Sequence, residues 1–342
     1  MAARRRIIPR KALIGAGLAA SFGLLAWQAS GHFQALADVG ARLDWTALAA
    51  GLACSAASYA MIGLALREVL RVLGHGLPFA AVQGIALVST TANYFVSSGG
   101  VSGFALKAHL LRKRHVPYGD TVTASVVSSA ILYFVLAVII AQGLAYLALR
   151  LRGAGVPVLE GVLGLGVVLV TSVALIRVVF DHELRGRVTG FLFHAVNHVA
   201  FWFSKAQIPR EDFLEFERQL SAGLERVRQA RGGLLRTILY TALDWGMAML
   251  TLYFCFRAVG VALPFGELSA GFTVGQAATL IPILPGGLGA MEGGMAAVYE
   301  RLGVGWEAAF VAVLLYRLCY YVVPGAASLL VLWGLKVSEP AL

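Results

Sequence analysis

Two charged side chains stand in stretches too apolar to solvate them. Arg317 lies in Val313-Leu314-Leu315-Tyr316-Arg317-Leu318-Cys319-Tyr320-Tyr321, and Asp244 sits beside Trp245 in another apolar run. Lys107 and Glu292 each follow a glycine-broken stretch. If these runs cross a bilayer, a charge inside one costs roughly 3 kcal/mol or more unless it meets a cavity or a partner, which makes each a functional-site candidate. A planar guanidinium suits a phosphate, so Arg317 is the candidate contact for an anionic headgroup. A structural Asp244–Arg317 ion pair is the alternative. Lys107 and Glu292 read either as gates, one per side, or as solvated charges at loop edges. Asn93, Gln276 and Thr279 are polar groups within the broken segments, placed to line a cavity or to satisfy freed backbone.

The breaks are what would position these groups. The first is Ser97-Ser98-Gly99-Gly100-Val101-Ser102-Gly103 and the second Leu284-Pro285-Gly286-Gly287-Leu288-Gly289. Gly99 precedes Asp120 by 21 residues, and Gly286 precedes Glu307 by 21. A helix restarting after such a break presents free N–H groups and a positive dipole end, which favours anions, so Gly99, Gly100, Gly286, Gly287 and Gly289 are candidate contacts. Gly99-x3-Gly103 and Gly289-x3-Gly293 also suit close backbone packing that needs no ligand. Broken apolar segments at matching places in two halves point to a transporter built of inverted repeats.

Composition demands a bilayer. Of 342 residues, 59% are hydrophobic and 13% charged, with mean hydropathy +0.78; soluble domains carry about 45–50% apolar and about 25% charged residues. Apolar runs lie near 12–29, 46–66, 79–98, 121–148, 157–176, 237–256, 268–290 and 308–335. Basic residues collect in cytoplasmic loops. The tail with Arg4, Arg5, Arg6, Arg10 and Lys11 therefore reads as inside, as do Arg67–Arg71, Lys107–Asp120 and 177–236, the last holding ten basic and seven acidic residues. The loops at 30–45 and Glu292–Glu307 are net acidic and read as outside. The charge split is +12 inside against −2 outside, within a total of +10. The tail and first run are expected to be a retained helix, giving a multi-pass protein of the bacterial inner membrane with a cytoplasmic N-terminus.

On this topology 79–98 and 268–290 each return to the side they left. The expected fold is an all-α polytopic membrane domain, residues 1–342, with six to eight transmembrane helices in two inverted repeats of about 12–150 and 156–336, each carrying a re-entrant segment. Eight ordinary spans with glycine kinks is the other arrangement. A helical insert over 187–234 is predicted on the inner face. Within it, Phe213, Phe216, Leu220, Leu224 and Val227 recur at helical spacing after Pro209, marking an amphipathic helix that either docks a partner or merely connects the halves.

Other motifs carry little. Gly15-Ala16-Gly17-Leu18-Ala19-Ala20 lies inside an apolar run instead of following a strand. His194 and His198 lack a third ligand for zinc. Cys54, Cys255 and Cys319 show no metal or CxxC spacing and read as core residues. No catalytic motif, metal site or cofactor is predicted, and no nucleic-acid partner.

Ile281-Pro282-Ile283-Leu284-Pro285-Gly286-Gly287-Leu288-Gly289-Ala290-Met291-Glu292, with the run from Gly303 to Tyr316-Arg317-Leu318, resembles the flippase-like transmembrane family of lysylphosphatidylglycerol synthase. The likeness is specific over about 268–325. It implies a domain that moves or presents lipid headgroups, and it points to Pro285, Gly286, Gly287, Gly289, Glu292 and Arg317 as site residues. The family's aminoacyl transfer belongs to a separate soluble domain, and we do not expect it in this sequence. The first half departs from the family's pattern: Ser97-Ser98-Gly99-Gly100 stands where a proline and an acid are expected, and Ser128-Ser129 where an arginine is. The expected function is translocation of a lipid or lipid-linked headgroup, anionic phospholipid, hopanoid or polyprenyl-phosphate-linked, by rocking of the two halves. The alternative is a non-transporting accessory subunit that docks a lipid-synthesis enzyme.

Overall fold

The computed structural model describes residues 33–95, 101–150, 177, 181, 183, 210–279 and 287–337. The expected spans at 12–29 and 157–176, most of the 187–208 stretch, and Gly99, Gly100, Pro285 and Gly286 lie outside them. Among the described residues the chain is all helical. The helices are α1 (Phe33–Ala41), α2 (Trp45–Val72), α3 (Phe79–Phe95), α4 (Val101–Arg112), α5 (Tyr118–Arg150), α6 (Arg210–Gln229), α7 (Arg231–Ala258), α8 (Phe265–Thr279), α9 (Ala290–Arg301), α10 (Trp306–Arg317) and α11 (Val323–Val337). A π-helical turn, Leu318–Val322, joins α10 to α11.

Among the described residues four helices are long and apolar enough to span a membrane: Trp45–Val72, Tyr118–Leu149, Arg231–Ala258, and Trp306–Gly334, which runs through the π-turn. Their outer faces carry exposed Val138, Leu239, Leu329, Leu330 and Trp333, a surface suited to lipid and ill-suited to water.

The ends of these spans form two poles. At one, Glu68 of α2 accepts from Arg71 at 2.7 Å and from Arg236 of α7 at 2.6 Å. Nearby, Asp120 of α5 binds His75 and Arg226 of α6, each at 2.7 Å, and Arg226 also donates to the Leu73 carbonyl at 2.7 Å. The described parts of the loops assigned to the inside by charge, around Glu68, Asp120 and Arg226–Arg236, therefore lie together. At the other pole the Asp44 amide donates to the Ala258 carbonyl at 2.8 Å. The Asp44 carboxylate caps α2 by accepting from the Thr46 and Ala47 amides at 2.8 and 3.2 Å, satisfying donors a helix start leaves free. The Thr46 hydroxyl and these amides hold the Asp44 carboxyl below the usual carboxylate range.

Between the poles sit two helical hairpins. The α3–α4 hairpin begins after His75 and ends before Asp120, so both its ends lie at the Glu68 pole. At its tip Gly103 N–H donates to Asn93 Oδ1 at 2.7 Å and Ser102 Oγ to the Ala92 carbonyl at 3.1 Å. The α8–α9 hairpin has its ends at the Asp44 pole, where Tyr299 OH donates to the Leu268 carbonyl at 2.8 Å. Gly271 lies against the Tyr299 ring, where a side chain would not fit. Each hairpin has its own apolar cluster, around Leu70, Ile85, Leu111 and Val127 for the first and Phe256, Phe272, Met295 and Phe310 for the second. The run read as one segment, 268–290, ends as a helix at Thr279, and 308–335 is interrupted by the π-turn.

The predicted amphipathic helix is α6. Leu220, Leu224 and Val227 are buried in the first cluster, while Phe213 and Phe216 fall outside the residues whose side chains are described. The C-terminal part of the apolar stripe thus closes on the protein's own α5, while Leu214 near the start of α6 is exposed.

Candidate functional site

The second break is shaped by its backbone. Gly287 and Gly289 have φ of +68° and +86°, a region costly to residues with a Cβ. Gly289 caps α9, and its N–H donates to Glu292 Oε2 at 2.7 Å. Glu292, the third residue of that helix, is fully buried. Its other oxygen accepts from Nε of Arg317, the last residue of α10. Arg317 is itself 7% exposed, and its guanidinium lies 4.5 Å from the centre of the Tyr321 ring, within cation–π range. Gln276, buried near the end of α8, approaches the Tyr321 hydroxyl. Tyr94, beside Asn93 at the tip of the first hairpin, packs its ring 4.7 Å from Tyr321. Residues flanking the turns of both hairpins therefore gather around the Arg317–Tyr321 pair.

This corrects two expectations. Glu292 is no loop-edge charge, and removing it from the outer loop weakens that loop's acidic balance. Arg317 does not pair with Asp244. The Asp244 carboxyl, midway along α7, accepts from Ser58 Oγ of α2 and, at 3.4 Å, from Tyr320 OH of the π-turn. Asn93 ties the first break to itself, where a cavity-lining role was one expectation. Lys107 is half-buried on α4 and has no hydrogen bond or ion pair among the described residues.

The π-turn was missed, and its signal was Pro324. Proline lacks an N–H and clashes with the carbonyl four residues back, here Tyr320. The ladder widens, with the Val323 N–H bonding to the Leu318 carbonyl. The two freed carbonyls are taken by α2: Ser55 Oγ donates to Cys319 O at 2.8 Å and Tyr59 OH to Tyr320 O at 3.0 Å. Tyr316 stacks on Tyr320 at 5.4 Å. Its hydroxyl and the Trp245 indole N–H are buried without a partner among the described residues. A layer of tyrosines thus connects Arg317 to Asp244. π-turns of this kind are frequent at functional sites.

The family of sequences described as the lysylphosphatidylglycerol synthase TM region matches residues 14–328. A membrane protein designated UPF0104 from Methanothermobacter thermautotrophicus is 36% identical over 86 residues, 25% of this chain and 24% of that protein. A phosphatidylglycerol lysyltransferase of Staphylococcus aureus is 34% identical over 92 residues, 27% of this chain and 11% of the transferase. The chain therefore covers a quarter or less of the curated relatives it matches. With its apolar spans and a match running across nearly all of its length, this multi-pass membrane protein belongs to the lysylphosphatidylglycerol synthase transmembrane-region family.

Proposed function

We propose that the protein moves an anionic lipid or lipid-linked headgroup across the bacterial inner membrane, with its N-terminus in the cytoplasm, and that the headgroup binds at Arg317. The observation that carries this reading is the buried Arg317–Glu292 pair, around which residues flanking the turns of both hairpins gather. A guanidinium held by one carboxylate can exchange it for a phosphate, and the Gly287–Gly289 backbone offers amides beside it. Gln276 and Asn93 border the same region, and Lys107 stands on the other hairpin as a cation with no ion pair among the described residues. Gly99, Gly100, Pro285 and Gly286 complete the proposed tips.

The hairpins support a re-entrant architecture. α3 with 17 residues and α8 with 15 are about 26 and 22 Å long at 1.5 Å per residue, short of a hydrocarbon core of about 30 Å. Their openings at opposite poles fit two inverted repeats of about 12–150 and 156–336, which with spans at 12–29 and 157–176 would give six crossings. The named substrate of the staphylococcal relative, phosphatidylglycerol, is one anionic candidate; a hopanoid or polyprenyl-phosphate-linked lipid is another. Acyl chains would remain in lipid while the headgroup passes. We assign no reaction to the chain: among the described residues Glu292 is held by an arginine and Asp244 by hydroxyls, while the Asp120–His75 pair lies apart from them, tied to Arg226 at a pole. The accessory-subunit reading keeps less of α6 for a partner, since Leu220, Leu224 and Val227 are buried within the protein.

The test is a fluorescent-lipid translocation assay in liposomes, comparing phosphatidylglycerol with phosphatidylcholine. Wild type is expected to move the anionic lipid, and Arg317→Ala to lose most of that rate while Lys107→Gln loses less. Unchanged movement in a folded Arg317→Ala protein would remove the site; no movement of any lipid by wild type would remove the function.

A further inference from the structure

We infer that Asp244 is a proton-carrying group, and that its charge state is passed through the π-turn to Arg317, so that a proton accompanies the headgroup. The inference rests on the transport reading of the Arg317 site and adds what drives it.

Asp244 is 5% exposed at the middle of a span. The groups that face it are Ser58 and Tyr59 from α2, Tyr94 from α3 and Tyr320 from the π-turn. No Arg, Lys or His of any described element bears on it, and Arg317 is engaged by Glu292. Oδ1 takes both hydroxyls, while Oδ2 accepts no hydrogen bond among the described residues. Intramembrane acids in such settings serve as proton relays.

The surrounding hydroxyls suit both protonation states. A carboxylate only accepts, whereas a carboxylic acid also donates, and a hydroxyl can answer either. Ser58 Oγ and Tyr320 OH lie 3.0 Å apart, and either can donate to the other. With Asp244 charged, both point at Oδ1. With Asp244 neutral, their mutual bond can form and Tyr320 is no longer drawn to the acid. Tyr320 is the third residue after Arg317 and precedes Tyr321, the ring on which the guanidinium rests. The partnerless Tyr316 hydroxyl, stacked on Tyr320, gives the layer a further site for a proton or water.

The direction of coupling follows from charge. A proton on Asp244 removes a negative charge from the layer that takes the anion, so proton and headgroup each favour the other's binding. The proton enters from water on one side, rides as the carboxylic acid and leaves on the other side with the headgroup. No bond of the lipid is made or broken.

The experiment uses the full chain in liposomes with fluorescent phosphatidylglycerol and measures its movement with and without an imposed pH gradient. In wild type, a gradient acid on the donor side is expected to speed movement by about 5-fold or more, the low end of ordinary coupling between sites. In Asp244→Asn that ratio falls to one, and in Tyr320→Phe, a milder change that keeps the acid, it falls part of the way. Wild type moving lipid equally with and without the gradient, or an undiminished ratio in folded Asp244→Asn, overturns the coupling and leaves the transport reading intact. Should Asp244→Asn not fold, Ser58→Ala and Tyr320→Phe decide by the same ratio. If wild type moves no lipid, the transport reading fails by itself. The proton site is then judged by infrared difference spectra of the purified protein: a pH-titrating carboxylic C=O band lost in Asp244→Asn and shifted in Tyr320→Phe supports it, and its absence from wild type overturns it.

Discussion

Arg317 and Glu292 are each other's counter-ions, so a single substitution confounds stability with function. Arg317→Ala strands a buried carboxylate at a cost of about 3–5 kcal/mol, whereas replacing both partners by neutral groups of similar volume is often tolerated. We predict that Arg317→Met alone lowers the melting temperature in detergent sharply, and that Glu292→Gln together with Arg317→Met recovers most of it. Lipid movement should stay lost in the double variant, which separates the guanidinium's role with the headgroup from its role in the fold. Arg317 was legible as a charge in an apolar run and Glu292 as a charge after a break, but their pairing was not: 25 positions and the turn between α9 and α10 separate them, and the left-handed Gly287 and Gly289 turn α9 so that Glu292 faces α10. Asp44 makes a different forecast. Its carboxyl is held low by the Thr46 hydroxyl and two amides. A depressed folded value means stabilisation that is present above the ordinary carboxylate range and lost as pH falls through the folded value. Asp44→Asn, which caps without charge, should flatten that acid loss in a melting series across pH, and Asp44→Ala should lower stability at neutral pH as well.

The last span shows how one residue reshapes an element. Pro324 denies Tyr320 O its helical donor, and the Tyr59 hydroxyl replaces it. A net hydrogen bond is worth about 1 kcal/mol, with a larger penalty when its partner is left buried and bare. Tyr59→Phe should therefore destabilise the wild type by about 1–3 kcal/mol, and less in a Pro324→Ala background, where residue 324 regains an N–H for that carbonyl. Additive losses in this double-mutant cycle would refute the explanation. Helix existence was readable from hydropathy for α2, α5 and α7, whose bounds fall within a few residues of the expected runs. The π-turn was hidden because hydropathy does not register a change of hydrogen-bond period. The amphipathic stripe of α6 was readable too, but periodicity fixes only that a face is covered; that α5 covers it depends on the Arg226–Asp120 contact across the sequence.

At the scale of the molecule, the hairpins that open at opposite poles give an accessibility prediction. A cysteine at His115, in a chain freed of Cys54, Cys255 and Cys319, should react with a membrane-impermeant reagent from one side of the bilayer, and one at Gly303 from the other; labelling of both from one side would contradict the inverted arrangement. Loop charge grouped Arg67–Arg71, the end of Lys107–Asp120 and the 226–236 stretch, and the structure joins these at one pole through their ion pairs. The most extensively packed pair of helices, α2 and α7, comes from opposite halves of the sequence and is fastened at both poles, by Glu68 to Arg236 and by Asp44 to Ala258. Two halves riveted this way suit a fixed frame better than a hinge between them. On the transport reading we predict that the moving parts are the hairpins, two doors hung from opposite lintels. A Cβ on Gly51 would lie 3.5 Å from that of Phe254, within the usual span of a disulfide. Bolting the frame with Gly51→Cys and Phe254→Cys should therefore leave the doors swinging and lipid still moving.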